Sequence, residues 1–257
     1  MDDGQRTSVT LKLLQALDRL LESYPDGVIA CDGDGTLWSG DVGEDVFHYA
    51  VSHGVLSDDA RAALQEQARL HAIESSGSAT ELSLRLFEAY RAGRYPEREV
   101  CAMMTWCYAG LTLEALAEHT RAALGQAFDA RLNQQLAPVL EFARSRSVPV
   151  LVVSASPQPV VEHAAARWNI PPEQVIASRP EVDGTRILPR LAGPVPYAEI
   201  KPLALRNRVG GRGLLAAFGD NVFDIELLQA AQVGVAVRPK PALRSRLPEL
   251  PGLLLLE

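Results

Sequence analysis

The chain has few cysteines, no long apolar run and no excess of basic charge, and each shortage removes a class of function. Only Cys31, Cys101 and Cys107 are present, and none forms a Cys-x-x-Cys pair, so neither a structural zinc site nor a disulfide framework is expected. Cys31 reads as a small core residue, and Cys101 and Cys107 as free thiols in a helical region. No apolar stretch approaches the roughly 20 residues that span a bilayer, and Leu253–Leu256 reads as a terminal strand or a packed tail. The opening Met1–Arg6 is polar and acidic, without the basic start and apolar core of a signal peptide; unpaired cysteines make the cytoplasm the expected compartment. The net charge of −7 argues against nucleic acid or an anionic membrane as partner. Repeats and low-complexity segments are also lacking. What remains is an ordinary globular composition over 257 residues, 47% hydrophobic and 22% charged, enough for one large domain or two smaller ones.

The most informative stretch is Val28–Leu37, where an apolar run ends in Asp32-Gly33-Asp34-Gly35-Thr36. Such a run, bounded by glycine, predicts a buried strand. As the chain leaves the strand, both carboxylates can reach one site. Carboxylates that close repel unless a cation neutralises them. A hard divalent ion, Mg²⁺ above all, fits that need, with one carboxylate left for covalent chemistry.

Residues 8–23 carry leucines at helical spacing, and Tyr24-Pro25-Asp26-Gly27 ends that helix. After the first strand the pattern turns wholly helical, with segments at 43–53, 58–74, 79–92, 96–108 and 113–124 and glycines near their ends. Alternation begins with helix 134–146 and strand 148–153. Helix 157–168, strand 175–177, a hairpin over 181–188, helix 199–208, strand 214–218, helix 221–231, strand 233–237 and helix 240–246 follow. Strands alternating with helices predict an α/β fold with a parallel sheet covered on both faces. The division expected is an α/β core of residues 1–37 and 134–257, interrupted by a helical insertion of residues 38–133. Ligands of open parallel sheets bind beyond the carboxyl ends of the strands, and the insertion would sit over that edge.

Three further features fall on the same edge: Ser154 in Val-Val-Ser-Ala-Ser-Pro, Lys201 in Ala-Glu-Ile-Lys-Pro, and Gly219-Asp220 with Asp224 after a strand. Each has a plainer reading. Ser154 can cap helix 157–168, Lys201 can be a solvated helix residue, and Asp220 and Asp224 can serve the start of helix 221–231. Their order and placement together argue for a site.

This set resembles the haloacid dehalogenase superfamily of phosphotransferases: Asp-x-Asp-x-Thr at Asp32–Thr36, a strand-end hydroxyl at Ser154, a lysine at Lys201, and Gly-Asp-x-x-x-Asp at Gly219–Asp224. The insertion resembles that family's C1 cap, on a Rossmann-like core. Val153–Pro157 and Val235–Pro239 are similar to the phosphoserine phosphatase-like branch. Dehalogenases of the superfamily lack the second aspartate, so Asp34 favours phosphoryl transfer.

The resemblance implies a phosphatase of a small phosphorylated metabolite. Asp32 would be the nucleophile, forming an aspartyl-phosphate, and Asp34 the acid and then the base. Mg²⁺ would be held by the Asp32 carboxylate, the Asp34 carbonyl and Asp220, with Asp224 orienting that shell. Thr36, Ser154, Ala155 and Lys201 would hold phosphate. Asp41, nine places after the nucleophile, stands where that branch contacts a substrate amino group, and Trp38 and Glu44 beside it would suit a quaternary ammonium by cation–π contact. Equally, Trp38 can anchor a hinge, Asp41 can cap helix 43–53, and Glu44 can favour its first turn. A mutase or other phosphotransferase of the same chemistry, and a binding protein on this scaffold, are the alternatives. No oligomeric state follows from the sequence.

Overall fold

The computed structural model describes residues 3–257; Met1 and Asp2 of the polar opening lie outside the described residues. In chain order the elements are α1 (Asp3–Ser23), β1 (Val28–Cys31), α2 (Val42–Ser52), α3 (Arg61–Leu70), α4 (Ala79–Arg91), α5 (Glu97–Trp106), α6 (Leu113–Leu124), α7 (Ala137–Ser145), β2 (Val150–Pro157) and α8 (Gln158–Ala165). Then come β3 (Val175–Ser178), β4 (Pro180–Asp183), β5 (Arg186–Leu191), α9 (Ile200–Val209), β6 (Leu214–Gly219), α10 (Ile225–Ala230), β7 (Val233–Val237), α11 (Pro241–Arg246) and β8 (Leu254–Leu256).

Six strands form one parallel sheet in the order β3-β2-β1-β6-β7-β8. The chain moves outward from β1 on one side, then crosses to β6 on the other. The carboxyl end of β1 is therefore the switch point, where such sheets leave a crevice. Each strand face is covered. Along β1, Val28 and Ala30 join one apolar cluster while Ile29 and Cys31 join the other. A parallel strand buried on both faces needs a continuous apolar run, which Val28–Cys31 supplies. Leu254–Leu256 pairs with β7 as an edge strand rather than packing as a loose tail.

The described residues between β1 and β2 contain no strand of the sheet. Side-chain caps begin three of the helices there: Asp41 for α2, Ser78 for α4, where Glu81 completes a capping box, and Thr112 for α6. The apolar cluster of this helical layer runs on without a break into one face of the sheet. Two of its predicted and neighbouring helices open more tightly than expected, with 3₁₀ turns at Asp58–Ala60 and Gln134–Leu136, and α8 closes in one at Ala166–Trp168. Apolar spacing alone does not separate a 3₁₀ turn from the α-helix it joins.

The chain enters and leaves the helical layer side by side. Ser39 N–H donates to the Arg131 carbonyl (2.9 Å), Asn133 N–H to the Leu37 carbonyl (2.9 Å), and Asn133 Nδ2 to the Thr36 carbonyl (2.9 Å). A second tie comes from the β4–β5 hairpin. Gly110 N–H donates to the Ile187 carbonyl (2.9 Å), Ile187 N–H to the Leu111 carbonyl (2.9 Å) and Leu113 N–H to the Thr185 carbonyl (3.1 Å), while Arg186 Nη1 donates to the Gly110 carbonyl (2.9 Å). A strand-like seam thus joins the hairpin to the α5–α6 loop. No helix among the described residues is long and apolar enough to cross a membrane.

Candidate active site

Asp32 follows β1 directly, is 6% exposed, and is fixed by its backbone N–H on the Phe218 carbonyl (2.9 Å). Lys201, in the first turn of α9, reaches it through the core. Its Nζ donates to Asp32 Oδ1 at 2.6 Å and to Asp224 Oδ1 at 2.5 Å. A cation at a helix N-terminus opposes the helix dipole, so these two carboxylates, not the helix, account for its position. Burial works against the Lys201 ammonium, but Asp224 and Asp32 outweigh it and hold the group charged. Burial, then Asp224, pushes the Asp32 carboxyl well above the usual carboxylate range, with Lys201 opposing.

Asp224 is placed by the turn that follows β6. Its Oδ2 accepts from the backbone N–H of Asp220 (3.1 Å) and of Asn221 (3.0 Å). Asn221, not Asp220, caps this turn, which is 3₁₀ over Val222–Asp224 before α10 begins. Gly219 permits the approach, since a Cβ there would lie 2.4 Å from Asp224 Cβ. Asp220 is pressed against the first loop in the same way. Gly35 has φ +89°, and a Cβ on it would lie 2.0 Å from Asp220 Oδ2. Glycine alone meets both demands there.

Asp32, Asp220 and Asp224 each offer an oxygen within 4.8 Å of the others. Lys240 Nζ lies 3.0 Å from Asp220 Oδ2, yet Asp220 Oδ1 is buried without a partner. Burial pushes the Asp220 carboxyl up to about 6, with Lys240 opposing. A buried carboxylate oxygen without a hydrogen-bond partner, beside two more carboxylates, fits a cation, and all-oxygen donors suit a hard divalent ion.

Asp34 is half-buried and held at both oxygens. Oδ1 accepts from Trp38 Nε1 and from the Val42 N–H, both at 2.8 Å, and Oδ2 from Ser156 Oγ at 2.7 Å. Ser154 lies inside β2, which continues through Pro157 by pairing with Ser178, and not after it. It does not cap α8, whose N-cap is Pro157; its Oγ accepts from the Ser156 N–H (3.0 Å).

A cleft opens beside these groups. It brings together Asp32, Asp34, Asp41, Ser154, Ala155, Lys201, Asp220 and Asp224 of the residues read from sequence. Thr36, Trp38 and Glu44 do not line it. Thr36 is fully buried in the loop, its N–H on the Gly33 carbonyl (3.2 Å). Trp38 is fully buried, its ring edge-on to Phe128 and its N–H on Asp34, so no ring face meets a ligand. Asp41 lines the cleft and also caps α2 through the Glu44 N–H (2.8 Å).

Sequence reasoning missed Ser156, Glu97, Tyr197, Phe223 and Lys240, all of which line the cleft. Two carried a usable signal. Ser156 is two residues from Ser154 in an extended segment, hence on the same side. Lys240 follows β7 closely, on the edge that holds the other groups. Glu97 and Tyr197 carried none, because only tertiary folding brings the start of α5 and the loop before α9 to this edge.

A family model for haloacid dehalogenase-like hydrolase matches residues 29–229. No curated protein matches the chain. Among solved structures, a protein of unknown function from Bordetella pertussis Tohama I superposes with a TM-score of 0.65 at 20% identity, over 90% of this chain and 97% of that one. A phosphoserine phosphohydrolase-like protein from Francisella tularensis gives 0.54 at 14% identity, over 90% and 95%. A probable phosphoserine phosphatase from Vibrio cholerae gives 0.55 at 15%, over 86% of this chain and 58% of that one. At these identities the likeness is one of fold.

Proposed function

The chain belongs to the haloacid dehalogenase-like hydrolase family, and from that premise we propose that it is a phosphatase that cleaves small phosphomonoesters through an aspartyl-phosphate on Asp32. The observation that carries this reading is Asp32 itself: a buried carboxylate at the switch point, paired to Lys201, opening on a cleft that also holds Asp34. Lys201 fixes the orientation of Asp32 and offsets the charge that gathers as a phosphoryl group approaches. Ser154 and Ala155 line the same cleft, and the Ser154 hydroxyl and the Ala155 backbone would bind phosphoryl oxygens. Asp34 gives a proton to the leaving alcohol and takes one from the water that cleaves the intermediate. Mg²⁺, held by Asp32, Asp220 and the Asp34 carbonyl with Asp224 behind them, would supply positive charge to the phosphoryl oxygens.

The reading includes a division into a core of residues 1–37 and 134–257 and a cap of residues 38–133. The paired hydrogen bonds at Ser39–Arg131 and Leu37–Asn133 support those limits. It also includes an amine-bearing substrate. Asp41 and the half-buried Glu97 line the outer cleft, with the rings of Tyr197 and Phe223 4.3 Å apart beside them. Among the described residues the cleft's cationic lining is Lys201 and Lys240, with no arginine. Two carboxylates suit an ammonium group, while the Tyr197 ring already carries the Arg98 guanidinium 5.4 Å from its centroid.

The test is phosphate release from phosphoethanolamine, phosphocholine, phosphoserine, sugar phosphates and nucleotides, with Mg²⁺ or with EDTA. Release that requires the metal and favours amine-bearing esters supports the reading; no release from any of them counts against it. Glu97→Gln is expected to raise KM for the preferred amine-bearing ester about tenfold, the worth of one charge-assisted contact, and to leave KM for sugar phosphates unchanged. An equal rise for both removes the ammonium from the reading.

A further inference from the structure

The mouth of the cleft has two sides. Glu97 and Cys101, one turn apart on α5, line it from the helical layer, and Tyr197 and Phe223 line it from the sheet side. All four are partly exposed, whereas Asp32, Ser154, Lys201, Asp220 and Asp224 behind them are buried. The Tyr197 and Phe223 rings, with centroids 4.3 Å apart, are in contact, so no chain passes between them.

Arg98, beside Glu97 on α5, spans the two sides. Its Nη2 donates to Glu199 Oε1 at 2.6 Å, and its guanidinium lies over the Tyr197 ring, 5.4 Å from the centroid. The loop before α9 is shaped to meet it. Ala198 has φ +47°, a left-handed conformation that costs energy in a residue with a Cβ and persists where its surroundings enforce it. Here three hydrogen bonds do so: Tyr197 N–H to the Val195 carbonyl (2.8 Å), Ile200 N–H to the Tyr197 carbonyl (3.0 Å) and Lys201 N–H to the Ala198 carbonyl (2.9 Å). The turn leaves Tyr197 in the cleft lining and Glu199 exposed, on Arg98.

Resting on the phosphatase reading, we propose that Tyr197 is a specificity-determining residue that limits the substrate to phosphomonoesters of short alcohols, and that Arg98 and Glu199 position it. A phosphoryl group seated at Asp32 leaves its alcohol only the outer cleft. There a chain of more than a few atoms meets the Tyr197–Phe223 wall beside the Arg98 bridge. An exposed ion pair is weak, so the bridge narrows the mouth without sealing it, and small esters still enter.

The test uses neutral alkyl chains, so that the charges of Asp41 and Glu97 have no partner on the substrate. Wild type is expected to favour ethyl over hexyl phosphate at least about tenfold in kcat/KM, the scale on which a pocket discriminates by size. Tyr197→Ala is expected to raise the hexyl-to-ethyl ratio about tenfold or more, and Tyr197→Phe, which keeps the ring, to keep the wild-type ratio. Arg98→Ala and Glu199→Ala should each raise it about threefold, and the reversed pair, Arg98→Glu with Glu199→Arg, should restore it. A wild type indifferent to chain length, or a Tyr197→Ala variant that keeps the wild-type ratio, overturns the proposal; a ratio unmoved by Arg98→Ala removes the positioning role. Kd for ethyl- and hexylphosphonate, which have no ester bond to cleave, reads the same discrimination without turnover. Discrimination in binding with no release from either ester sinks the phosphatase reading and leaves the wall, while release without discrimination sinks the wall alone.

Discussion

Asp32→Asn is expected to reduce phosphate release by about 10⁴-fold or more, the scale on which removal of a covalent nucleophile is felt. The amide keeps the shape of the side chain and can still accept from Lys201, but it cannot form the acyl phosphate. The fold should survive. Asp32 shares a buried region with Asp220 and Asp224, so its charge is repelled there as well as paired. Removing it relieves the one and weakens the other, and a melting temperature close to wild type is the expected companion result. Turnover that persists in this variant, measured on single-turnover timescales to exclude contaminating phosphatase, would move the nucleophile elsewhere.

Lys201→Met carries the second large effect, on stability as well as rate. Lys201 is 4% exposed, and its ammonium bridges Asp32 and Asp224, which are themselves buried. Breaking a buried pair from one side leaves uncompensated charge and costs about 3–5 kcal/mol. For a domain of this size that corresponds to a fall in Tm of roughly 10 °C, measured in EDTA so that no metal takes the lysine's place. Activity should fall about 10²-fold or more as the phosphoryl charge loses a fixed cation. Adding Asp224→Asn to the Met variant should recover much of the stability and none of the activity. A single variant that melts like wild type would show that the bridge does not neutralise these carboxylates.

The central strands were legible because a strand buried on both faces must be apolar throughout, and β1, β6 and β7 end abruptly at aspartate, glycine or arginine. β2 was cut short at Ser154 by the same logic. Its serines interrupt the apolar run, but pairing with β3 carries the strand to Pro157. That extension matters chemically, because it sets Ser154 and Ser156 two apart on one side of an extended chain. Asp32, Asp34, Asp220 and Asp224 follow from strand-end position, which topology converts directly into proximity; Lys201, in the first turn of α9, follows only from its order among the motifs. Trp38 allows two readings from sequence, a cation–π partner or a hinge anchor, because an aromatic beside carboxylates suits a cation as well as a packed turn. The structure packs it: its indole N–H binds Asp34, and its ring fills space beside Gly33, where a Cβ would lie 2.7 Å from Trp38 Cζ2. Glu97 and Tyr197 come from elements distant in sequence, and no local pattern encodes their meeting.

The seam between the β4–β5 hairpin and the α5–α6 loop also provides a clock. The amides of Gly110, Leu113 and Ile187 each donate across it. A deuteron can replace their protons only when the two sides separate or when the local structure unfolds, and local openings have their own free energies. Exchange at these three sites, compared with amides inside the sheet such as Ala30 and Ala217, therefore times the parting of the helical layer from the hairpin. A substrate that must wait for that parting would turn over no faster than these amides open, while a small ester reaching the cleft directly would turn over many times before one of them exchanged.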